Sequence, residues 1–106
     1  RKIVSSLEAQ KEHREYVKTV SVYIKKLKTD VHDENITKKL DALYDVVHAS
    51  PIKITESTYK YEKEIEDRLE KLEYVFDIVD NNNIVKEIES LTELANRRND
   101  ILRISN

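Results

Sequence analysis

The stretch Thr58-Tyr59-Lys60-Tyr61-Glu62-Lys63-Glu64-Ile65-Glu66-Asp67-Arg68-Leu69-Glu70-Lys71-Leu72-Glu73-Tyr74-Val75-Phe76-Asp77-Ile78-Val79 decides the fold class. Thr58, Tyr61, Ile65, Leu69, Leu72, Phe76 and Val79 step by three and four along it without a break. That period gathers them on one face of an α-helix and leaves the charged residues on the other. The spacing predicts a helix from about 56 to 79. Outward from it, the same period appears in three more segments. One runs from about 3 to 28, with Tyr16, Val17, Val20, Tyr23, Ile24 and Leu27 on one face and a nearly all-polar stretch, Glu8–Glu15, before them. The next runs from about 34 to 49 on Ile36, Leu40, Leu43, Tyr44 and Val47. The last runs from about 84 to 104 on Ile84, Ile88, Leu91, Leu94, Ala95, Ile101 and Leu102.

The breaks have physical causes. Thr29, Asp30 and Asp33 offer oxygens that cap the exposed N–H groups at the start of the second helix. Ser50-Pro51 ends that helix, because the residue before Pro avoids the α region. Thr55 or Ser57 is placed to cap the third. Asn81-Asn82-Asn83 is expected to make the last turn through a left-handed residue, in place of Gly. The Ile52-Lys53-Ile54-Thr55 alternation is too short to build a sheet. Short connections favour antiparallel neighbours. The expected fold is therefore all-α: an antiparallel, up-down four-helix bundle with a long first helix, formed by residues 1–106 as one domain. The chain starts at Arg1 and contains no Met, so it reads as a piece of a larger protein. A first helix of roughly 40 Å beside a second of roughly 24 Å leaves an overhang, which falls on the polar end, Ser5–Glu15.

The 106 residues include no Gly, no Cys, no Met, no Trp and one Pro. Without Gly there is no phosphate-cradling loop and no dinucleotide fingerprint. Without Cys there is no disulfide frame, thiolate nucleophile or cysteine zinc site. No apolar run approaches the ~18 residues of a membrane span, and no signal-peptide pattern is present. Asp45 and His48 stand three apart, as two metal ligands on one helical turn would, but the inward positions of the other helices are apolar. The acidic loop Asp30, His32, Asp33, Glu34 lacks the spacing and Gly of an EF-hand. No cofactor or metal is expected, and no Ser–His–acid set can be assembled from spacing.

Charge is placed unevenly although the net charge is only −2. Residues 1–29 hold 8 basic and 3 acidic groups; residues 30–50 hold 2 and 5; residues 51–80 hold 5 and 9; residues 81–106 hold 4 of each. The simplest expectation sets the basic first helix beside the acidic third. The sharper one turns Lys18, Lys25, Lys26 and Lys28 towards a partner, nucleic acid or an anionic membrane, although the overall balance argues against strong nucleic-acid binding.

Several residues break the apolar pattern. Arg98 lies within the last helix's apolar face, where it must either reach solvent by its stem or pair with a carboxylate. Glu87 raises the same question earlier on that face. His13 falls where the first helix's apolar face becomes polar and reads as a partly buried core histidine. Tyr74 and Ile78, with Val75 at their edge, form a second apolar strip on the third helix, and Val22 and Ile104 are likewise off-face. These are expected either to be covered by a second neighbouring helix or to form a contact surface.

Three short resemblances accompany these features. Arg97-Arg98-Asn99-Asp100-Ile101-Leu102-Arg103 resembles the last-helix motif of HEPN-type ribonucleases. That family places His five residues after a catalytic Arg. Position 103 is Arg here, so the resemblance implies no such activity. Leu40-Asp41-Ala42-Leu43, Ile54-Thr55, Ile65, Leu69 and Leu72 resemble helical domains related to the N-terminal domain of transcription elongation factor S-II and to the integrase-binding domain. Asp77-Ile78-Val79-Asp80 and Val85-Lys86-Glu87-Ile88 resemble BAG-type chaperone cofactors, without their basic segment before the last helix. None of the three amounts to a family assignment.

The sequence thus leads to a non-enzymatic, intracellular (cytoplasmic or nuclear) interaction or scaffold domain. It would dock a partner protein's helix or segment in an inter-helix groove, with Tyr74, Val75, Ile78, Arg98, Lys25 and Lys26 as the candidate contact residues. The alternatives are homo-oligomerisation, such as a homodimer, through a coiled-coil-like element, and a transcription- or chromatin-associated module using the basic face of the first helix.

Overall fold

The computed structural model describes residues 6–51 and 56–105. They form four α-helices, α1 (Ser6–Asp30), α2 (Glu34–His48), α3 (Glu56–Val75) and α4 (Asn81–Ser105), and no strands. The helices pack as a bundle of 41 × 22 × 20 Å. Its core is drawn from the stripes read from the periodicity, Tyr16, Val20, Ile24 and Leu27 of α1, Ile36, Leu40, Leu43 and Val47 of α2, Ile65, Leu69 and Leu72 of α3, Ile84, Ile88, Leu91 and Ala95 of α4, and adds Val31 of the α1–α2 connection, which lies on no stripe; Tyr61 and Ile101, expected on the stripes, are only half-buried. Val17, Tyr23, Phe76, Val79 and Leu94 pack at its margin. Tyr44, expected in the core, is 39 % exposed at the edge of α2. The Leu102 side chain lies outside the described residues.

Direction alternates along the chain. The beginning of α1, the end of α2, the beginning of α3 and the end of α4 meet at one end of the bundle, where Arg98 touches Tyr16 and Glu62 and Asn99 reaches Val46. Neighbour order is less simple than direction. The pairs that pack are α1–α2, α1–α3, α2–α4 and α3–α4. The two diagonals are therefore α1–α4 and α2–α3. The consecutive pair α2 and α3 are not neighbours, and the step between them crosses the bundle. This order sets basic α1 against both acidic helices, α2 and α3, and diagonal to the charge-balanced α4. The expected placement of α1 beside α3 is met. Each packed pair also carries a polar link, Lys28–Asp41 at 2.7 Å, Tyr23–Glu70 at 3.0 Å, Lys39–Glu89 at 2.7 Å and Arg68–Glu87 at 2.8 Å. Such links favour one neighbour arrangement over others even where each adds little stability.

The helix ends correct the sequence reading in two places. Asp33 is the cap of α2: with extended backbone (φ −137°, ψ 123°) its carboxylate accepts the Ile36 N–H at 3.0 Å. Asp30 instead ends α1, and of the candidate caps of α3, Ser57 is inside the helix while Thr55 lies outside the described residues. The last break is Phe76–Asp80, not the three Asn. α3 stops at Val75, and Asp80 caps α4 by accepting the Asn83 N–H at 2.8 Å. The three Asn form the first turn of α4, and no described residue has positive φ. A carboxylate cap starting a helix here replaced the left-handed turn expected from Asn.

The polar overhang of α1 does not stand free. Glu8, Glu12 and Glu15 run along the start of α3 and, with Tyr59, Lys63 and Glu66, border an open cleft of about 480 Å³.

Candidate functional site

Arg98 is the largest fully buried side chain, with 0 % exposure. A guanidinium has five N–H donors and no means of losing its charge, so burial requires acceptors on every side. The structure supplies them from three elements. Nε donates to Glu62 Oε2 of α3 at 2.7 Å. Nη1 donates to Asn99 Oδ1 at 3.0 Å, and Nη1 and Nη2 donate to the Pro51 carbonyl at 3.2 and 3.3 Å. The Tyr16 ring of α1 lies 5.4 Å from the guanidinium carbon, a cation–π distance. Asn99 then donates from Nδ2 to the Val46 carbonyl of α2 at 3.4 Å. One buried cluster thereby holds all four helices together at the end where the chain crosses from α2 to α3.

Burial pushes the Glu62 carboxyl up from its ordinary range, against the pull of the Arg98 charge. The same burial raises the Tyr16 phenol, whose hydroxyl makes no hydrogen bond, and lowers His13, which also faces the positive charge of Arg98 and His48. His13 is buried as expected, its ring 6.4 Å from that of Tyr16.

Arg98 therefore neither snorkels nor faces a partner. Its stem points into the core because α4 places it on the apolar stripe, and its charge is met inside by Glu62. Glu87 is likewise used within the bundle, gripping Arg68 through both carboxylate oxygens at 2.8 Å while Arg68 also reaches Ser90 at 2.9 Å. Arg98 Nε donates to Glu62, and the Arg103 side chain lies outside the described residues. Asp45 is exposed and His48 stacks on Tyr44, ring centroids 3.7 Å apart. Among the described residues no three His, Asp or Glu side chains converge as metal ligands, and no described helix is long and apolar enough to cross a membrane.

The six residues singled out from sequence fall into three places. Arg98 is inside one end. Tyr74 and Ile78 are at the opposite end, 79 % and 81 % exposed, on the outer side of α3 and the turn after it. Val75 is half-buried and, with Leu72 and Val79, lines a shallow cleft of about 310 Å³ between α3 and α4. No second helix covers Tyr74, Ile78 or Val22, the last being 42 % exposed; the Ile104 side chain lies outside the described residues. Lys25 and Lys26 are exposed on α1, Lys26 with its ammonium 5.5 Å from the Tyr23 ring.

Glu62 and Asn99, which hold Arg98, are not among the residues singled out from sequence. Glu62 had a signal. It stands four after Thr58 and three before Ile65, so it occupies a stripe position, and a carboxylate there answers the one arginine on the stripe of α4. Compared with known proteins, the chain matches no family model, no curated protein and no solved structure.

Proposed function

We propose that this bundle is a non-enzymatic protein-interaction domain that docks a partner helix or segment in an inter-helix groove. The observation that carries this reading is the contrast between inside and outside. The groups with chemical potential, Arg98 and Glu62, are bound to one another and sealed from solvent. Two large apolar side chains, Tyr74 and Ile78, are left 79 % and 81 % exposed, near the end of the bundle where Leu72, Val75 and Val79, with Arg68, Lys71, Asn83 and Glu87, line a cleft. Apolar side chains clustered at one end of a helix mark contact surfaces, and grooves between helices accept amphipathic helices.

The test compares proteins retained from cell extract by the wild-type chain and by Tyr74→Ser/Ile78→Ser, with quantitative mass spectrometry. Both positions are exposed, so the variant should keep its helicity and melting temperature. At least one protein enriched on the wild type is expected to be lost from the variant. Identical retained sets would overturn the reading for this strip. Light scattering on the same pair separates self-association: a dimer that the variant dissociates would make the strip an oligomerisation surface instead.

A further inference from the structure

We propose that a different groove, between α1 and α2, docks an acidic amphipathic segment of another protein. This rests on the reading of the bundle as an interaction domain and adds a second docking surface to it, separate from the Tyr74/Ile78 strip. The basic face of α1 is divided by its surroundings. Lys28 is held by Asp41 at 2.7 Å, and Lys26 lies over Tyr23. Lys18 and Lys25 are exposed and make no ion pair among the described residues. Both line the α1/α2 groove, about 410 Å³, together with Val22, Ile24 and Tyr44.

The groove therefore joins an apolar middle to two uncommitted positive charges. Val22 and Tyr44 are 42 % and 39 % exposed. Tyr44 is held in place by its stack on His48. Lys18 and Lys25 are two helical turns apart, about 10 Å along α1. A helix laid along the groove meets this pattern with apolar side chains over Val22 and Tyr44 and carboxylates seven residues apart on the two ammoniums. The one carboxylate of the groove, Asp41, is already neutralised by Lys28 and does not repel such a segment. Nucleic acid is the poorer fit. Two free lysines release few counterions, whereas phosphate-driven affinity needs an extended basic track.

The test is a display selection of random sixteen-residue peptides on the immobilised chain, followed by fluorescence-anisotropy titration of resynthesised winners. Winners are expected to be net acidic with apolar residues at helical spacing. Lys18→Glu/Lys25→Glu and Val22→Asp should each weaken them at least tenfold, and Tyr74→Ser/Ile78→Ser should leave them unchanged. Circular dichroism confirms that each variant is folded, and Lys18→Gln/Lys25→Gln, with a smaller loss than the charge reversal, confirms the electrostatic part. Basic or uncharged winners, or acidic winners indifferent to Lys18 and Lys25, overturn the inference. If winners depend on Tyr74 and Ile78 instead, the interaction reading stands and this groove is not the site. If no peptide enriches over heat-denatured protein, both readings fail. Tighter binding of a fluorescent DNA duplex, or of anionic phospholipid vesicles, than of any acidic winner would also overturn it.

Discussion

The two ends of the bundle solve the same problem by different means. At one end the chain turns directly between packed neighbours, α1 to α2 and α3 to α4. Two capping carboxylates suffice there: Asp33 accepts the Ile36 N–H, Asp80 accepts the Asn83 N–H, and Asn81 bonds Asp33 at 3.1 Å to tie the turns together. At the other end the chain steps across the diagonal from α2 to α3. The Pro51 carbonyl then has no helix of its own, and Arg98 reaches from α4 to satisfy it. A direct turn needs only local capping. A diagonal crossing uses a buried charge, which in turn requires a buried counter-charge, Glu62.

That contrast predicts unequal sensitivity. The largest expected effect is at the crossing end. Arg98→Met removes one partner of a buried pair and strands the Glu62 carboxylate, a change that costs about 3–5 kcal/mol in comparable sites. Chemical denaturation should show this loss. The double variant Arg98→Met/Glu62→Leu should recover much of it, because replacing both charges with apolar groups relieves the desolvation. A double variant no more stable than Arg98→Met would show that Pro51 and Asn99, rather than Glu62, are what Arg98 serves. At the directly turned end the effect should be smaller. Asp33→Ala removes one cap of α2 and should cost about 1 kcal/mol. If it matches Arg98→Met, the ends are not different in kind and the comparison fails.

The same contrast separates what was legible in the sequence from what was not. The four stripes carry the fold class, because burying a face of a helix leaves a period in the sequence itself. The crossing end was half legible. Arg98 announced itself by standing on the α4 stripe, but its environment depends on which helices are neighbours. That is set by packing between segments far apart in the chain. Glu62 was hidden for a different reason. In α3, acidic residues are so frequent that one on the stripe does not stand out, and Tyr61 next to it satisfies the same periodicity. The turn at Phe76–Asp80 was misplaced because Asn allows a left-handed residue without requiring one. The carboxylate of Asp80 offered a competing and stronger local interaction. For the interaction surfaces, sequence marks which side chains are off the stripe, as with Tyr74, Ile78 and Val22. It does not mark which lysines remain uncommitted, because Lys26 and Lys28 find their partners on Tyr23 and, across the groove, on Asp41.

The smallest expected effect also belongs to the crossing end and is a pH dependence. His13 is held below its ordinary pKa of 6.5 by burial first, and then by the positive charge of Arg98 and of His48. The unfolded chain therefore binds a proton at this position before the folded chain does. Folding stability should be insensitive to His13 above pH 6.5 and fall as the pH drops below it, levelling off only below the lowered folded value. Glu62 and Glu66 act in the opposite sense. Burial raises both, so the folded state holds their protons more tightly and their contribution diminishes as pH rises through those raised values. The total curve therefore mixes the two signs, and the informative quantity is the difference between the wild type and His13→Gln, in which the carboxylates and His48 are common to both. That difference, measured by urea denaturation from pH 5 to 8, should be flat above pH 6.5 and turn against the wild type below it. A difference that stays flat throughout would mean that His13 takes up its proton equally in both states. The crossing end would then accommodate a third positive charge beside Arg98, which a cluster sealed from solvent with a single counter-charge should not do.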